Sequence, residues 1–153
     1  NIPHIERLRI HTRMPIVLPE RIDKALLSWL SSTSLKTVMV IHANHANEIN
    51  DPVRAALSQL QEERVTLFNQ SVLLRGVNDS CSSLAELSEA LFRADVIPYY
   101  LHLLDKVQGA AHFEVGEDEA CKLIKELQQR LPGYLVPRLV REHAGASSKT
   151  QII

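Results

Sequence analysis

A strand–helix repeat of about thirty residues constrains the fold of this chain more than any other feature of the sequence. Short apolar runs typical of β-strands begin near residues 6, 37, 65 and 96, with a helical pattern between each pair. A crossover helix forces neighbouring strands to pair in parallel. Four such units are about half of an eightfold βα barrel. The repeat therefore predicts an α/β fold in which parallel βα repeats form the second half of a partial TIM-like barrel.

Helix boundaries are predicted from capping residues. Asp51 followed by Pro52 indicates the start of one helix, because Asp caps helices well and proline is tolerated in the first turn. Ser83 and Glu86 have the spacing of a capping box ahead of the next helix. The most regular helical face ends at Pro132-Gly133 and consists of Ala120, Leu123, Ile124, Leu127 and Leu131. Residues 134–153 form a carboxyl-terminal extension, and the small residues at 144–150 predict a disordered terminus.

Composition and charge argue against several classes of partner. The chain has 153 residues, 45% of them hydrophobic and 23% charged, which is ordinary for one soluble globular domain. A net charge of -1 gives no electrostatic footprint for nucleic acid or an anionic membrane. Cys81 and Cys121 form neither a disulfide framework nor a CxxC motif. With no signal-peptide pattern in the sequence, we expect a cytoplasmic protein.

Polar residues follow the predicted strands where a barrel enzyme would carry its site. Asn69, Gln70 and Ser71 come directly after an apolar run, and burying them unpaired would cost about 1–3 kcal/mol each. They either hydrogen-bond the following loop or contact a ligand, and the local sequence favours neither. Since catalytic groups of barrel enzymes lie at the carboxyl ends of strands, the candidate site residues are Arg13, His42, Asn69, Gln70 and Asp105.

Three further patterns allow two interpretations each. His42 and His45 have a spacing that could ligate a metal, but no third ligand is near in sequence, which favours a hydrogen-bonded histidine. Asp105 beside Lys106 is either a surface ion pair or the anchor of a cationic substrate. Lys149 follows Gly145 and other small residues, so its amine is either solvated or placed against the aldehyde of a cofactor.

Several motifs in order resemble the lysine 2,3-aminomutase family, whose members are radical S-adenosylmethionine (SAM) enzymes that also use pyridoxal phosphate. The motifs are LRIHTRMP at 8–15, LPERI at 18–22, HANHANEI at 42–49, NQSVLLRGVND at 69–79 and PYY at 98–100, with Asp105, His112 and Phe113. LPGYLVP at 131–137 and SKT at 148–150 resemble more closely the bacterial branch that makes (R)-β-lysine for attachment to elongation factor P.

The resemblance implies a role for each matching residue. Lys149 matches the lysine that bonds covalently to pyridoxal phosphate, which makes residues 134–153 the tail that bears the cofactor lysine and residues 1–133 the barrel half. Asp105 matches the carboxylate that holds the ε-ammonium of substrate L-lysine. His42 and Gln70 match positions that contact S-adenosylmethionine. Glu142 stands where the fermentative enzymes have a second, shorter substrate carboxylate, an Asp.

The CxxxCxxC motif that binds the family's 4Fe-4S cluster is absent from the sequence. We therefore expect a carboxyl-terminal fragment of a longer enzyme, inactive by itself, with no metal ligands of its own. The first strand, near residues 5–10, would have an open edge, from which we expect self-association, with the enzyme a homo-oligomer. The alternative function is a non-catalytic half-barrel that binds a ligand or partner.

Overall fold

The computed structural model describes residues 4–105, 108–143, 145 and 148–153. In this part of the chain six strands form one sheet, in sequence order, that curls into half of a barrel. The first five strands pair in parallel, and the sixth pairs antiparallel with the fifth. The strands are β1 Arg7–His11, β2 Lys36–Ile41, β3 Thr66–Val72, β4 Ile97–His102, β5 Arg138–Arg141 and β6 Thr150–Gln151.

Helices make the crossovers between the parallel strands. They are α1 Met14–Val17, α2 Lys24–Ser32, α3 Asp51–Glu62, α4 Cys81–Arg93 and α5 Glu117–Arg130. Short 3-10 helices lie at Pro19–Arg21, Ala46–Glu48, Ala111–Phe113 and Gly133–Leu135. Among the residues that the structure describes, none of the helices combines the length and the apolar character needed to cross a bilayer.

The hydrophobic core lies on one face of the sheet. Alternate residues of the strands, such as Met39 of β2, Leu67 of β3 and Leu101 of β4, are almost completely buried in two apolar clusters with helical residues such as Leu57 and Leu127. Because side chains alternate along a strand, the neighbouring residues point to the other face. That face, which we call the inner face, lines the inside of the half-barrel.

The register lines up polar and aromatic residues on the inner face. Gln70 of β3 pairs with Tyr100 of β4, and Tyr100 pairs with Arg138 of β5. Two residues further along β4, and therefore on the same face, His102 pairs with Val72 of β3 and Val140 of β5. The ladder between β3 and β4 contains an irregularity beside Asn69 and Gln70. The carboxyl ends of β3, β4 and β5 therefore present neighbouring side chains to the same side.

The α/β class, the parallel repeats and the partial barrel are confirmed, with the four predicted strands within a residue or two of their expected starts. Two cap predictions are wrong. The side chain of Asn50, not Asp51, caps α3 by accepting from Val53 N at 3.1 Å. Ser80 caps α4, so Ser83 lies inside that helix. Consecutive polar residues cap almost equally well, which is why the sequence alone misplaced both starts.

The predicted disorder of the terminus is wrong for the part of residues 144–150 that the structure describes as strand. Thr150 belongs to β6 and pairs with Arg141 of β5. Ile152 N donates to Leu139 O at 2.9 Å, and Ile152 and Ile153 pack against a core cluster. The small residues indicated disorder, but the apolar residues that hold β6 in place, Ile152 and Ile153, come after them in the sequence. Residues 144, 146 and 147 lie outside the described part.

Candidate functional site

The carboxyl edge of the sheet brings together residues that are far apart in sequence. Lys149 directly precedes β6, and Glu142 directly follows β5. Since β5 and β6 run antiparallel, the start of β6 lies beside the end of β5, which places Lys149 near Glu142. His102 ends β4, the neighbour of β5 on its other side. Three adjacent strands thus deliver a lysine, a carboxylate and an imidazole to one place.

The Lys149 amine makes three contacts there. Its Nζ forms an ion pair with Glu142 Oε1 and lies 3.1 Å from His102 Nε2. It also lies 5.4 Å from the centroid of the Tyr100 ring, within the range of a cation–π interaction. The side chain of Lys149 is 26% exposed, so the amine is sheltered but reachable from solvent.

The electrostatics of this cluster favour a neutral imidazole and an ionised carboxylate. Burial lowers the pKa of His102, and the positive charge of Lys149 lowers it further, while Glu142 and Asp105 act in the opposite direction. The hydrogen bond from Lys149 is the main reason that the pKa of Glu142 is lowered. At neutral pH His102 Nε2 can therefore accept a hydrogen bond from the lysine amine.

His42 follows β2 and belongs to the same electrostatic environment. Burial lowers its pKa, and the positive charges of His11, Arg13 and Lys149 lower it further. Its ring meets the His11 ring edge-on at a centroid distance of 6.3 Å. His42 Nε2 is buried and has no hydrogen-bond partner among the described residues. A buried polar atom in that state costs about 1–3 kcal/mol, so it fits a ligand contact better than a structural role.

Gln70 Oε1 is the other buried polar atom without a partner in the described part of the chain. Gln70 lies on β3, the strand next to β2, and its pairing with Tyr100 directs it to the inner face. Two neighbouring strands therefore each present an unpaired polar atom. A ligand group that both donates and accepts hydrogen bonds would satisfy both atoms.

Asn69 and Ser71 have a structural role instead. Asn69 Oδ1 accepts from Ala43 N at 2.8 Å, and its Nδ2 donates to Ala43 O at 3.0 Å. Ser71 Oγ donates to the same carbonyl at 2.9 Å. Both side chains are buried. They hold the loop after β2, which begins with His42, rather than the loop after their own strand.

Among the described residues, the remaining candidates make no hydrogen bond or ion pair with Lys149. Arg13 is exposed and donates to Glu48 at 2.9 Å. His45 Nδ1 accepts from Asn47 N at 3.2 Å and caps a 3-10 helix, which is a hydrogen-bonding role. Asp105 is exposed and acts on the cluster through its charge, and its sequence neighbour at 106 lies outside the described residues. No three His, Cys, Asp or Glu residues of the described ranges come together as metal ligands would.

Tyr100 and His102 were missed as site residues by the sequence reasoning. Their positions at the end of a strand and two residues apart predict one shared face, which was the available signal. The contact with Lys149 was not available, because 47 residues separate His102 from it.

No protein-family model matches the chain. It is 56% identical over 151 residues to the L-lysine 2,3-aminomutase of Escherichia coli (strain K12), covering 99% of this chain and 44% of that protein. Identity to the Haemophilus influenzae protein of the same name is 54%, over 98% of this chain and 44% of that protein. The Clostridium subterminale protein of that name is 38% identical, over 99% of this chain and 36% of its own length.

A solved structure supports the fold. A radical SAM methyltransferase from Sphaerobacter thermophilus superposes with a TM-score of 0.63 at 15% identity, covering 89% of this chain and 40% of that one. The chain spans less than half the length of the curated relatives cited above. Over nearly its whole length, the chain is thus homologous to one segment of the longer proteins of the L-lysine 2,3-aminomutase family.

Proposed function

We propose that this chain is part of an enzyme that converts L-lysine to β-lysine with pyridoxal phosphate, S-adenosyl-L-methionine and a 4Fe-4S cluster. The observation that carries the proposal is the position of Lys149. This lysine lies at the carboxyl edge of a half-barrel and forms an ion pair with Glu142. Its positive charge is also one of the causes that lower the pKa of His42. Lys149 and Glu142, which the resemblance assigns to cofactor and substrate, are thus in contact, in a chain 56% identical to a protein named for this activity.

The surroundings of Lys149 suit pyridoxal phosphate. A lysine that bonds to an aldehyde must be reachable and must be able to lose a proton. Lys149 is partly exposed, and His102 Nε2 lies 3.1 Å from its amine as a neutral acceptor. In the proposed enzyme Lys149 holds this cofactor, and His102 orients the amine and accepts a hydrogen bond from it.

The unpaired atoms of His42 and Gln70 suit S-adenosylmethionine. His42 Nε2 can donate or accept, and Gln70 Oε1 accepts, so the two complement a ligand with both kinds of group. When bound, S-adenosylmethionine supplies the radical and pyridoxal phosphate the electron delocalisation that the migration of an amino group requires. Cys81 and Cys121 lie on helices, and the proposal assigns no cluster ligand to this chain.

Asp105 and Glu142 are the proposed partners of the substrate ammonium. Asp105 is exposed on the loop after β4, and Glu142 follows β5, so both lie at the edge that carries Lys149. Two carboxylates at the same edge of the sheet favour a ligand with a distant positive charge, such as the ε-ammonium of lysine. The same pair would discriminate against amino acids with uncharged side chains.

The finer assignment is (R)-β-lysine for modification of elongation factor P, made in the cytoplasm by a homo-oligomer. The motifs at 131–137 and 148–150 support this branch.

A chimera tests the proposal directly. The matching 151 residues of the Escherichia coli relative are replaced by this chain, and the purified, reconstituted protein is given L-lysine. We expect β-lysine, resolved as the (R) form on a chiral column, and none from this chain alone with the same cofactors. The matched control is the chimera with Lys149→Ala, which should form no product.

Two results would contradict the proposal. Turnover by this chain alone would refute its being only a part of the enzyme. A folded chimera that binds its cofactors and makes no β-lysine would favour the non-catalytic half-barrel.

A further inference from the structure

The three groups around the Lys149 amine form a complete site for a primary ammonium ion. An alkylammonium has three N–H donors and no acceptor. Glu142 offers a carboxylate oxygen, His102 a ring nitrogen at 3.1 Å and Tyr100 a ring face at 5.4 Å. The Tyr100 and His102 rings stand nearly perpendicular, at an interplanar angle of 82°, so they border the amine from different directions.

The charges of the neighbouring groups suit a cation. Glu142 is ionised at neutral pH as an ordinary carboxylate is, and the hydrogen bond from Lys149 lowers its pKa further. Burial lowers the pKa of His102, which leaves Nε2 free to accept. Asp105 adds negative charge from the loop after β4, and His42 faces the cluster from the β2 side with its pKa also lowered. The site therefore attracts an ammonium ion whether that ion belongs to the chain or to a ligand.

We propose that Lys149 occupies, in the cofactor-free chain, the site that receives the ammonium group of a primary alkylamine ligand, so that the two exclude each other. The inference rests on the proposed function only for the identity of the natural ligand. It goes beyond that function in stating that Lys149 and the ligand ammonium compete for one site. The point that Glu142, His102 and Tyr100 share is occupied by Lys149 Nζ. Lys149 must leave Glu142 before a substrate ammonium can bind there.

The test uses n-butylammonium, which has the ammonium group and no carboxylate. It is titrated at pH 7 into this chain and into its Lys149→Met variant, and binding is followed by the NMR signals of the His102 ring. Half-exposed ion pairs are weak, so we expect the variant to bind about three to ten times more tightly than the unmodified chain. Lys125→Met removes an exposed lysine of α5 and should leave the affinity unchanged.

A second measurement does not depend on ligand binding. Lys149 is acetylated in competition with Lys125 at pH 8, and mass spectrometry gives the ratio of the two rates. Glu142→Gln should raise the relative rate at Lys149 at least about threefold, because the amine is no longer held in an ion pair with the carboxylate. Glu117→Gln is the matched control, since Glu117 is similarly exposed and pairs with Arg141 at 2.6 Å.

Equal affinity for n-butylammonium in the unmodified chain and in Lys149→Met would overturn the inference. An unchanged acetylation ratio in Glu142→Gln would do the same. Neither measurement needs a cofactor or turnover. An inactive chimera combined with positive results here would thus refute the proposed function and leave the shared ammonium site standing.

Discussion

Asn69 binds both backbone groups of Ala43, the residue that follows His42, although 26 residues separate the two in the sequence. One side chain on β3 thereby replaces two ladder hydrogen bonds where β2 ends. The orientation of His42 depends on this contact, because the backbone that carries its ring is fixed on its carboxyl side by Asn69.

Asn69→Ala should destabilise the fold and change the environment of His42. The substitution leaves the Ala43 N–H without its partner in a buried place, which costs about 1–3 kcal/mol. Urea unfolding measures the free energy, and the NMR shift of the His42 ring reports its environment. Gln128→Ala, on the exposed side of α5, is the control. A loss of stability with an unmoved His42 signal would show that Asn69 does not position the ring.

Stability should fall as the pH is lowered from 7 towards 5. Burial lowers the pKa values of His11, His42 and His102 in the folded chain, so the unfolded chain takes up protons first. Their contribution is full above the unfolded value of 6.5 and is lost as the pH falls towards the folded values. Urea unfolding at pH 7, 6 and 5 measures the slope. His102→Gln should flatten it more than replacing the exposed His112 does; equal slopes would contradict the assignment.

Asp105→Ala, tested in the active chimera, should reduce lysine turnover more than cofactor binding. Losing a charged hydrogen bond of about 1.5–3 kcal/mol predicts a drop in kcat/KM of about one to two powers of ten. The pyridoxal absorbance should stay unchanged. Glu142→Ala should act in the same direction, and Glu142→Asp tests whether side-chain length matters. Unchanged lysine kinetics with lost absorbance would assign Asp105 to the cofactor instead.

The open edge of β1 should make this chain self-associate. β1 pairs with β2 on one side, and no other described strand pairs with it. Glu6 O accepts from Lys36 N and Thr12 N donates to Val40 O, so the even-numbered residues here turn their backbone groups towards β2. The backbone N–H and C=O of Arg9 therefore point to the free side of β1. Light scattering should show mass rising with concentration, and Arg9→Pro should reduce this more than Arg9→Ala. A strictly monomeric chain would disprove the expectation.

The sequence predicted those parts of the fold that local patterns determine. The apolar runs of β2 and β4 are continuous and the face of α5 is periodic, so these elements were found within a residue or two. The start of α3 was misplaced by one residue because Asn50 and Asp51 are both good caps. Strand β6 was missed since two residues carry no periodicity.

The candidate site was predictable only in part, because its contacts are long-range. The end of β2 and the end of β3 indicated His42 and Gln70 as rim residues, and the structure gives each an unpaired buried atom. The resemblance singled out Lys149. The sequence could not reveal that His102 would meet that lysine, since such a contact depends on β5 and β6 lying side by side.

The shortness of β6 gives the Lys149 amine a different kind of stability from the rest of the fold. Two residues join β6 to β5, and one further backbone bond, from Ile152 to Leu139, secures the strand. Opening this strand breaks few bonds and leaves the helices packed, so it requires far less free energy than global unfolding. The position of the Lys149 amine therefore depends on local opening and closing of β6. Packing of the Ile152 and Ile153 side chains against the core stabilises the closed form.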